Sequence, residues 1–415
     1  MNPALPKKCF VPDGEGRVMP DGRLYVYGSW DISGSKEYCS TELHCFSTDN
    51  LIDWVDHGVI FRNDEKHFGV SWLKDSALFA PDAIHKDGKY YLYLCGSNGQ
   101  KEFEGVAVAD SPIGPFSDAI KIDIADGSGI DPTVFIDDDG QAYLFWGQFR
   151  LKGAKLKNDM ATIIPESVQE GLLTEWEHGF HEGASIRKRG SKYYMLYTDI
   201  SRGKATCLSY AIANSPMGPY KKCGVVIDNM YCDPQTWNNH GSIVNYKDKW
   251  YVFYHRSSQN SFTSRRLCIE EITFDEEGYI KEVCQTSQGV GKPFNASQPI
   301  DASTACRMFG QVYIKPYEDD EILTCCGKHH WATPDWAEYK YIDFGDKGFS
   351  TFCAKVKGKG TLIVRAEDNK VVAEINFDCK EFTEFSVPMQ AIYGVHAIWL
   401  FFANGDYAIK QFYCK

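Results

Sequence analysis

One pattern occurs five times in roughly the first 290 residues, and this repetition limits the possible folds more than any other feature. The copies are DGRLYVYGS from Asp21, DGKYYLYLC from Asp87, DGQAYLFWG from Asp139, GSKYYMLYT from Gly190 and KDKWYVFYH from Lys247. Each joins a two-residue turn signal to a short aromatic and aliphatic run, which marks the second strand of a hairpin. The shared tyrosines Tyr25, Tyr91, Tyr143, Tyr194 and Tyr251 follow one another at steps of 66, 52, 51 and 57 residues. Such a step suits one four-stranded sheet per repeat, the size of a propeller blade. A second echo agrees with the first. ADSPIGPF (Ala109–Phe116), ANSPMGPY (Ala213–Tyr220) and, more loosely, STDNLIDW (Ser47–Trp54) fall where the two outer strands of a blade must turn. Helical periodicity is almost absent. The expectation is an all-β chain that begins with a five-bladed β-propeller over residues 1–288.

The first strand of every propeller blade lines the central channel. Ahead of the five tyrosines, by nine to twelve residues, stand Asp13 (PDGEGRV), Asp82 (APDAIHK), Asp131 (IDPTVFI), Glu182 (HEGASIR) and His240 (NHGSIVN). Any one of them alone reads most simply as a strand end. Five in register bring ionisable groups together at one mouth of the axis, the usual mark of a site. Four are carboxylates, among them Asp13, Asp131 and Glu182 from blades 1, 3 and 4, and glycoside hydrolysis needs two: one to protonate the leaving oxygen, one to activate water or attack. Glu182, near Phe180 and Trp176, has the partly apolar setting that raises an acid's pKa. Asp13 stays ionised if it faces water and donors. Asp131 can hold Glu182 in place and tune it, although Asp-Pro also simply turns a chain.

The 415 residues exceed one ordinary core, so a second domain is expected. GVGKPFNASQP (289–299) reads as a linker. From 300 to 415 the tyrosine repeat is gone, and short strand-like runs at sandwich spacing predict a β-sandwich of jelly-roll type. Trp331 and Trp336 are candidates there for stacking on sugar, or for core packing. CCGKHH (Cys325–His330) has the wrong spacing for tetrahedral zinc and reads as a hairpin. A net charge of −12 argues against a nucleic-acid partner. No run of about 18 apolar residues predicts a membrane span. Fifteen cysteines without framework spacing, and no apolar leader, predict a reduced, cytoplasmic protein without disulfides.

Taken in order, FVPDGEGRVMPDGRLYVYGSWD (Phe10–Asp31), FAPDAIHKDGKYYLY (Phe79–Tyr93), GIDPTVFIDDDGQAYLFWG (Gly129–Gly147), HEGASIRKRGSKYYMLYT (His181–Thr198) and NNHGSIVNYKDKWYVFYHR (Asn238–Arg256) resemble glycoside hydrolase family 43. The resemblance implies an inverting hydrolase that releases α-L-arabinofuranosyl or β-D-xylosyl units from plant-type oligosaccharides. Asp13 would be the base, Glu182 the acid and Asp131 the pKa modulator. Trp30, Phe79, Asp82, Trp146 and Arg256 would meet substrate. His240 would face a calcium ion in the channel, partly through water. Three departures stand out. Asp13 is followed by Gly14 rather than proline, which leaves Glu15 and Asp31 as weaker rivals for the base. Glu182-Gly183 is followed by Ala184. Phe79 replaces a tryptophan. The segment WAEYKYIDFG (Trp336–Gly345), with GTLIVRAED and GVHAIWLFF, is similar to family 6 carbohydrate-binding modules. A β-D-galactofuranosidase of the same fold and a non-catalytic sugar-binding propeller are the alternatives.

Overall fold

The computed structural model describes residues 1–63, 71–73, 76–97, 102–124, 129–326 and 335–415. Trp331 and the second part of the CCGKHH motif, residues 327–330, lie outside them.

Among the described residues, four antiparallel four-stranded sheets and one three-stranded sheet follow one another along residues 15–272. Their second strands are Leu24–Ser29, Lys89–Ser97, Ala142–Trp146, Lys192–Asp199 and Lys249–Ser258, so all five repeated tyrosines fall where the repeat puts them. The three echoes of the second motif form the turns between third and fourth strands of blades 1, 2 and 4.

Five apolar clusters fill the wedges between neighbouring blades. Leu43 and Leu92 pack between blades 1 and 2, and Tyr93 and Leu144 between 2 and 3. Phe145 and Tyr197 pack between 3 and 4, and Leu196 and Val252 between 4 and 5. Val26, Phe46 and Phe253 pack between 5 and 1, closing the ring. Alternation explains this arrangement: neighbours on a strand point to opposite faces, and in a blade both faces are buried.

Blade 5 has three strands, and the N-terminal segment runs along its outer edge. Ala4 N donates to Leu267 O at 2.8 Å, and the Asn2 side chain binds the backbone of Ile269 in both directions. At the axis, Gly14 bridges Gly241 of blade 5. A Cβ at Gly14 would sit 2.3 Å from Leu267 Cδ1, so the glycine after Asp13 belongs to the ring closure.

The second domain is one ten-stranded sheet that curls around its own core. Its long strand Thr351–Ala366 pairs through its first half with Tyr407–Cys414 and through its second half with Val395–Asn404. The strand changes partners at Gly358 and Gly360, where a Cβ would meet the backbone oxygens of Asp406 and Asn404 at 2.7 and 2.2 Å. The short strand Phe294–Asn295 already pairs with Asp335–Asp343 of this sheet. The two domains are tied by a buried bidentate pair, Arg266 to Glu321 at 2.6 and 2.7 Å, and by Lys7 bound to Asp301 and Asp320.

Candidate active site

A pocket of about 280 Å³ opens at the propeller axis. Asp13, Asp131, Glu182 and His240 line it, each from the inner strand or strand approach of a different blade. The backbone is irregular at each carboxylate. Asp13 and Asp131 take left-handed φ values of 59° and 58°, and the strand Phe180–Arg189 bulges around Glu182, with Gly183 at φ 66°. Such conformations re-aim side chains and are held only where the surroundings over-determine them.

The three carboxylates sit in different electrostatic settings. Asp13 is 5% exposed, and burial alone would raise its pKa. That effect is overcome by the Arg265 guanidinium, 3.2 Å from Oδ1, and by the imidazoles of His255 and His240, which together hold the carboxyl well below the usual range. Ser29 donates to its other oxygen at 2.7 Å. His255 Nδ1 lies 3.4 Å from both the Asp13 N–H and Asp13 Oδ1, while its Nε2 faces Asn238 oxygens at 3.2 Å.

Asp131 shifts the other way. Burial and the charges of Glu182 and Asp13 push its carboxyl well up. It accepts from Gly183 N at 3.1 Å, gripping the peptide that follows Glu182. Behind it lies Glu104, fully buried with neither oxygen partnered among the described residues, its carboxyl also pushed well up by burial and by Asp131. Glu182 is half-buried; Gln148 Nε2 donates to it at 2.9 Å and Asn238 Nδ2 at 3.5 Å.

His240 points Nδ1 at Asp13 and Asp131, 3.7 and 3.8 Å away, and its burial outweighs the attraction of Asp13 and Glu182, so its pKa is lowered. Calcium takes about six to eight oxygen ligands. Below His240 the channel oxygens are already engaged. Arg187 binds Glu15 and Gly16 O, while Asp82 accepts from Arg17 Nε at 2.8 Å, Thr133 Oγ1 at 3.0 Å and Val134 N at 2.8 Å. Two guanidinium charges balance the two carboxylates of Glu15 and Asp82. Among the described residues no group of three or more His, Cys, Asp or Glu is arranged to hold a metal. These protein donors do not by themselves make up a calcium ligand set, and His240 stands beside the carboxylates of Asp13 and Asp131.

Of the expected substrate contacts, Phe79 lines the pocket. Asp82 lies in the channel below, bound to Arg17. Trp146 is 2% exposed in the core between blades 2 and 3. Trp30 stacks on His44 with ring centroids 3.9 Å apart and packs on the core between blades 5 and 1. Arg256 faces away: its Nη1 donates to Cys306 O in the second domain at 3.1 Å. Its strand neighbour His255 takes the face toward Asp13, which leaves Arg256 the other. The arginine of the pocket is Arg265, on the next strand, which also makes a bidentate pair with Asp31 at 2.9 Å and lies 4.7 Å over the Tyr38 ring. Of the rivals to Asp13, Asp31 is thus neutralised by Arg265 and Glu15 by Arg187. Tyr38, Gln148, Trp237 and Asn238 join the rim from loops between strands, where the repeat carries no signal, and His181 joins it from the start of the strand Phe180–Arg189.

A five-bladed propeller with three carboxylates around an axial pocket defines a class of carbohydrate-active enzymes. The profile of Glycosyl hydrolases family 43 matches residues 17–280. The chain belongs to glycosyl hydrolases family 43 and is a glycosidase. It is 30% identical to a xylosidase/arabinosidase of Thermoclostridium stercorarium over 99% of this chain and 98% of that one. Among solved structures it is similar to CoXyl43, a β-xylosidase/α-arabinofuranosidase from a compost microbial metagenome described in a calcium-free form with xylotriose. That likeness has a TM-score of 0.59 at 29% identity and covers 68% of this chain and 97% of that one. An arabinoxylan arabinofuranohydrolase from Bacillus subtilis, bound to cellotetraose, shares the fold over 100% of this chain and 97% of its own, with a TM-score of 0.58 at 23% identity.

Proposed function

We propose that the enzyme removes single terminal xylosyl or arabinofuranosyl units from oligosaccharides, with inversion at the anomeric carbon. The observation that carries this is one small pocket holding carboxylates in opposite settings, Asp13 pushed down by Arg265 and Asp131 pushed up beside Glu182. At about 280 Å³ the pocket is at the small end of ligand sites and suits one sugar ring. Asp13 takes a proton from water as its oxygen bonds to the anomeric carbon. The bond to the glycosidic oxygen breaks as Glu182 gives that oxygen its proton. Asp13 ends protonated and Glu182 ionised, and exchange with solvent restores both. Asp131 tunes Glu182 and steadies the Glu182–Gly183 peptide. Arg265 sets the charge of Asp13. The names of the relatives above support the choice of sugars.

The second domain is proposed to buttress the propeller. Trp336 stacks on Phe309 at 5.8 Å, and Phe309 packs in turn on Tyr231 of the propeller at 5.5 Å. A reducing, cytoplasmic location is proposed because none of the fifteen cysteines is in a disulfide among the described residues.

A panel of nitrophenyl α-L-arabinofuranoside, β-D-xyloside and β-D-galactofuranoside tests the function with wild type and Glu182→Gln. Wild type is expected to cleave one of the first two, and the variant to lose about 10²-fold or more on natural oligosaccharides. Cleavage of none, with sugar still bound, would make this a binding propeller.

A further inference from the structure

Trp176 is 95% exposed, the most exposed large apolar side chain of the protein among those described. Such exposure of an indole leaves a large apolar surface in water and marks a recognition site when it adjoins one. Trp176 stands on the single-turn helix Glu175–His178, fixed at its start by the Thr174 side chain and at its end by Gly179 at φ 72°. Beside it is Phe149, 47% exposed and held at φ 61°, a conformation unusual for an aromatic residue. The two rings, with Arg150, Thr174 and Glu175, line an open hollow of about 710 Å³.

This hollow neighbours the catalytic pocket on the side of Glu182, joined to it through His181 and Gln148. Phe149 N donates to His181 O at 2.7 Å, Glu175 N donates to Phe149 O at 2.9 Å, and His181 Nδ1 pairs with Glu175 Oε1 at 3.0 Å. The Phe149 ring meets the His181 ring edge-on at 5.1 Å. His181 lines the pocket, and Gln148, the residue before Phe149, binds the Glu182 carboxylate. The exposed aromatics are therefore wired to the segment that carries the acid. The acid protonates the leaving oxygen, so the rest of the substrate departs on its side. A second aromatic cluster, Tyr38 with Phe262 at 5.3 Å, stands instead on the side of Arg265 and Asp13.

We propose that Phe149 and Trp176 form a shelf for the leaving-group side of the substrate, stacking on the apolar faces of pyranose units beyond the scissile bond. The occupant is a β-1,4-linked xylo-oligosaccharide chain. The assignment rests on the reading of Glu182 as acid, which sets which side the leaving group takes. The shelf makes the enzyme prefer oligomers over disaccharides without touching the sugar that is cleaved.

Calorimetric binding of xylose, xylobiose, xylotriose and xylotetraose to Glu182→Gln, with and without Trp176→Ala, tests it. Trp176→Ala is expected to weaken xylotetraose about tenfold and leave xylose unchanged, while Trp176→Phe keeps most of the affinity. Xylotetraose affinity unaltered by Trp176→Ala, or xylose weakened in parallel, overturns the shelf. So does sedimentation showing that Trp176→Ala turns a dimer into a monomer, since the indole is then a subunit contact. If Glu182→Gln still hydrolyses the chains at the wild-type rate, the reading of the acid fails, while the binding ladder at low temperature still reports on the shelf.

Discussion

The mouth of the axis and the channel beneath it are built from the same inner strands, yet they treat charge in opposite ways. Below, Glu15 and Asp82 each meet a guanidinium, and the pairs Arg187–Glu15 and Arg17–Asp82 join blades 1, 2 and 4. Above, four carboxylates share one arginine among the described residues: Arg265 pairs with Asp13 and Asp31, and neither Asp131 nor Glu182 has an arginine or lysine of its own. A buried carboxylate with its own cation is structural, because its charge is already settled. Carboxylates that outnumber their cations are left with unequal proton affinities, which acid–base chemistry needs. Register around a propeller axis thus selects candidates, and the local cation decides which of them react.

The largest effect is expected where the two regions would be made alike. Arg265→Ala removes the cation from Asp13. Since that cation lowers the pKa of the base, its loss raises it, and the base is then protonated at a pH where wild type still works. The acid limb of the kcat/KM profile should move to higher pH, with a fall of about 10²-fold at the optimum. Arg265→Lys, which keeps the charge, should move the limb much less. An unmoved limb in Arg265→Ala would mean that Asp13 is not the group titrating there.

A different response is expected in the channel. Arg187→Ala leaves buried Glu15 only the Arg17 guanidinium, 3.4 Å away and shared with Asp82, and should cost about 3 kcal/mol in denaturant unfolding, with kcat per folded molecule retained. Replacing both partners, as in Glu15→Gln with Arg187→Met, should recover much of that stability. A selective loss of kcat in either variant would place the channel in the reaction. The smallest effect concerns metal. Because the channel balances its own charge, prolonged chelation should leave kcat/KM unchanged. Activity lost on chelation and restored by calcium would show a cation site that the arginines do not replace.

These regions were unequally legible from sequence. The tyrosine period placed every blade, and the residues nine to twelve positions earlier placed Asp13, Asp131, Glu182 and His240 at one pocket, because an inner strand must face the axis. Arg256 was misplaced by a single step of strand alternation, which no composition reveals; His255 holds the pocket side. The resemblance placed Trp146 at the substrate, but a blade buries both faces and the indole lies in the core. The N-terminal clasp on blade 5 had no local signal, since it joins Asn2 to Ile269 across the whole ring. Trp176 and Phe149 lie in a loop and a single helical turn, where no repeat points to them.

The central claim is that Asp13 activates water rather than the sugar being captured by a carboxylate. The direct measurement is proton NMR of the first sugar released from the substrate that wild type cleaves best, recorded before mutarotation. The account requires the inverted anomer first: α-xylose from a β-xyloside, or β-arabinose from an α-arabinofuranoside. First release of the retained anomer would mean a covalent sugar–enzyme intermediate, and Asp13 would not be the base that activates water.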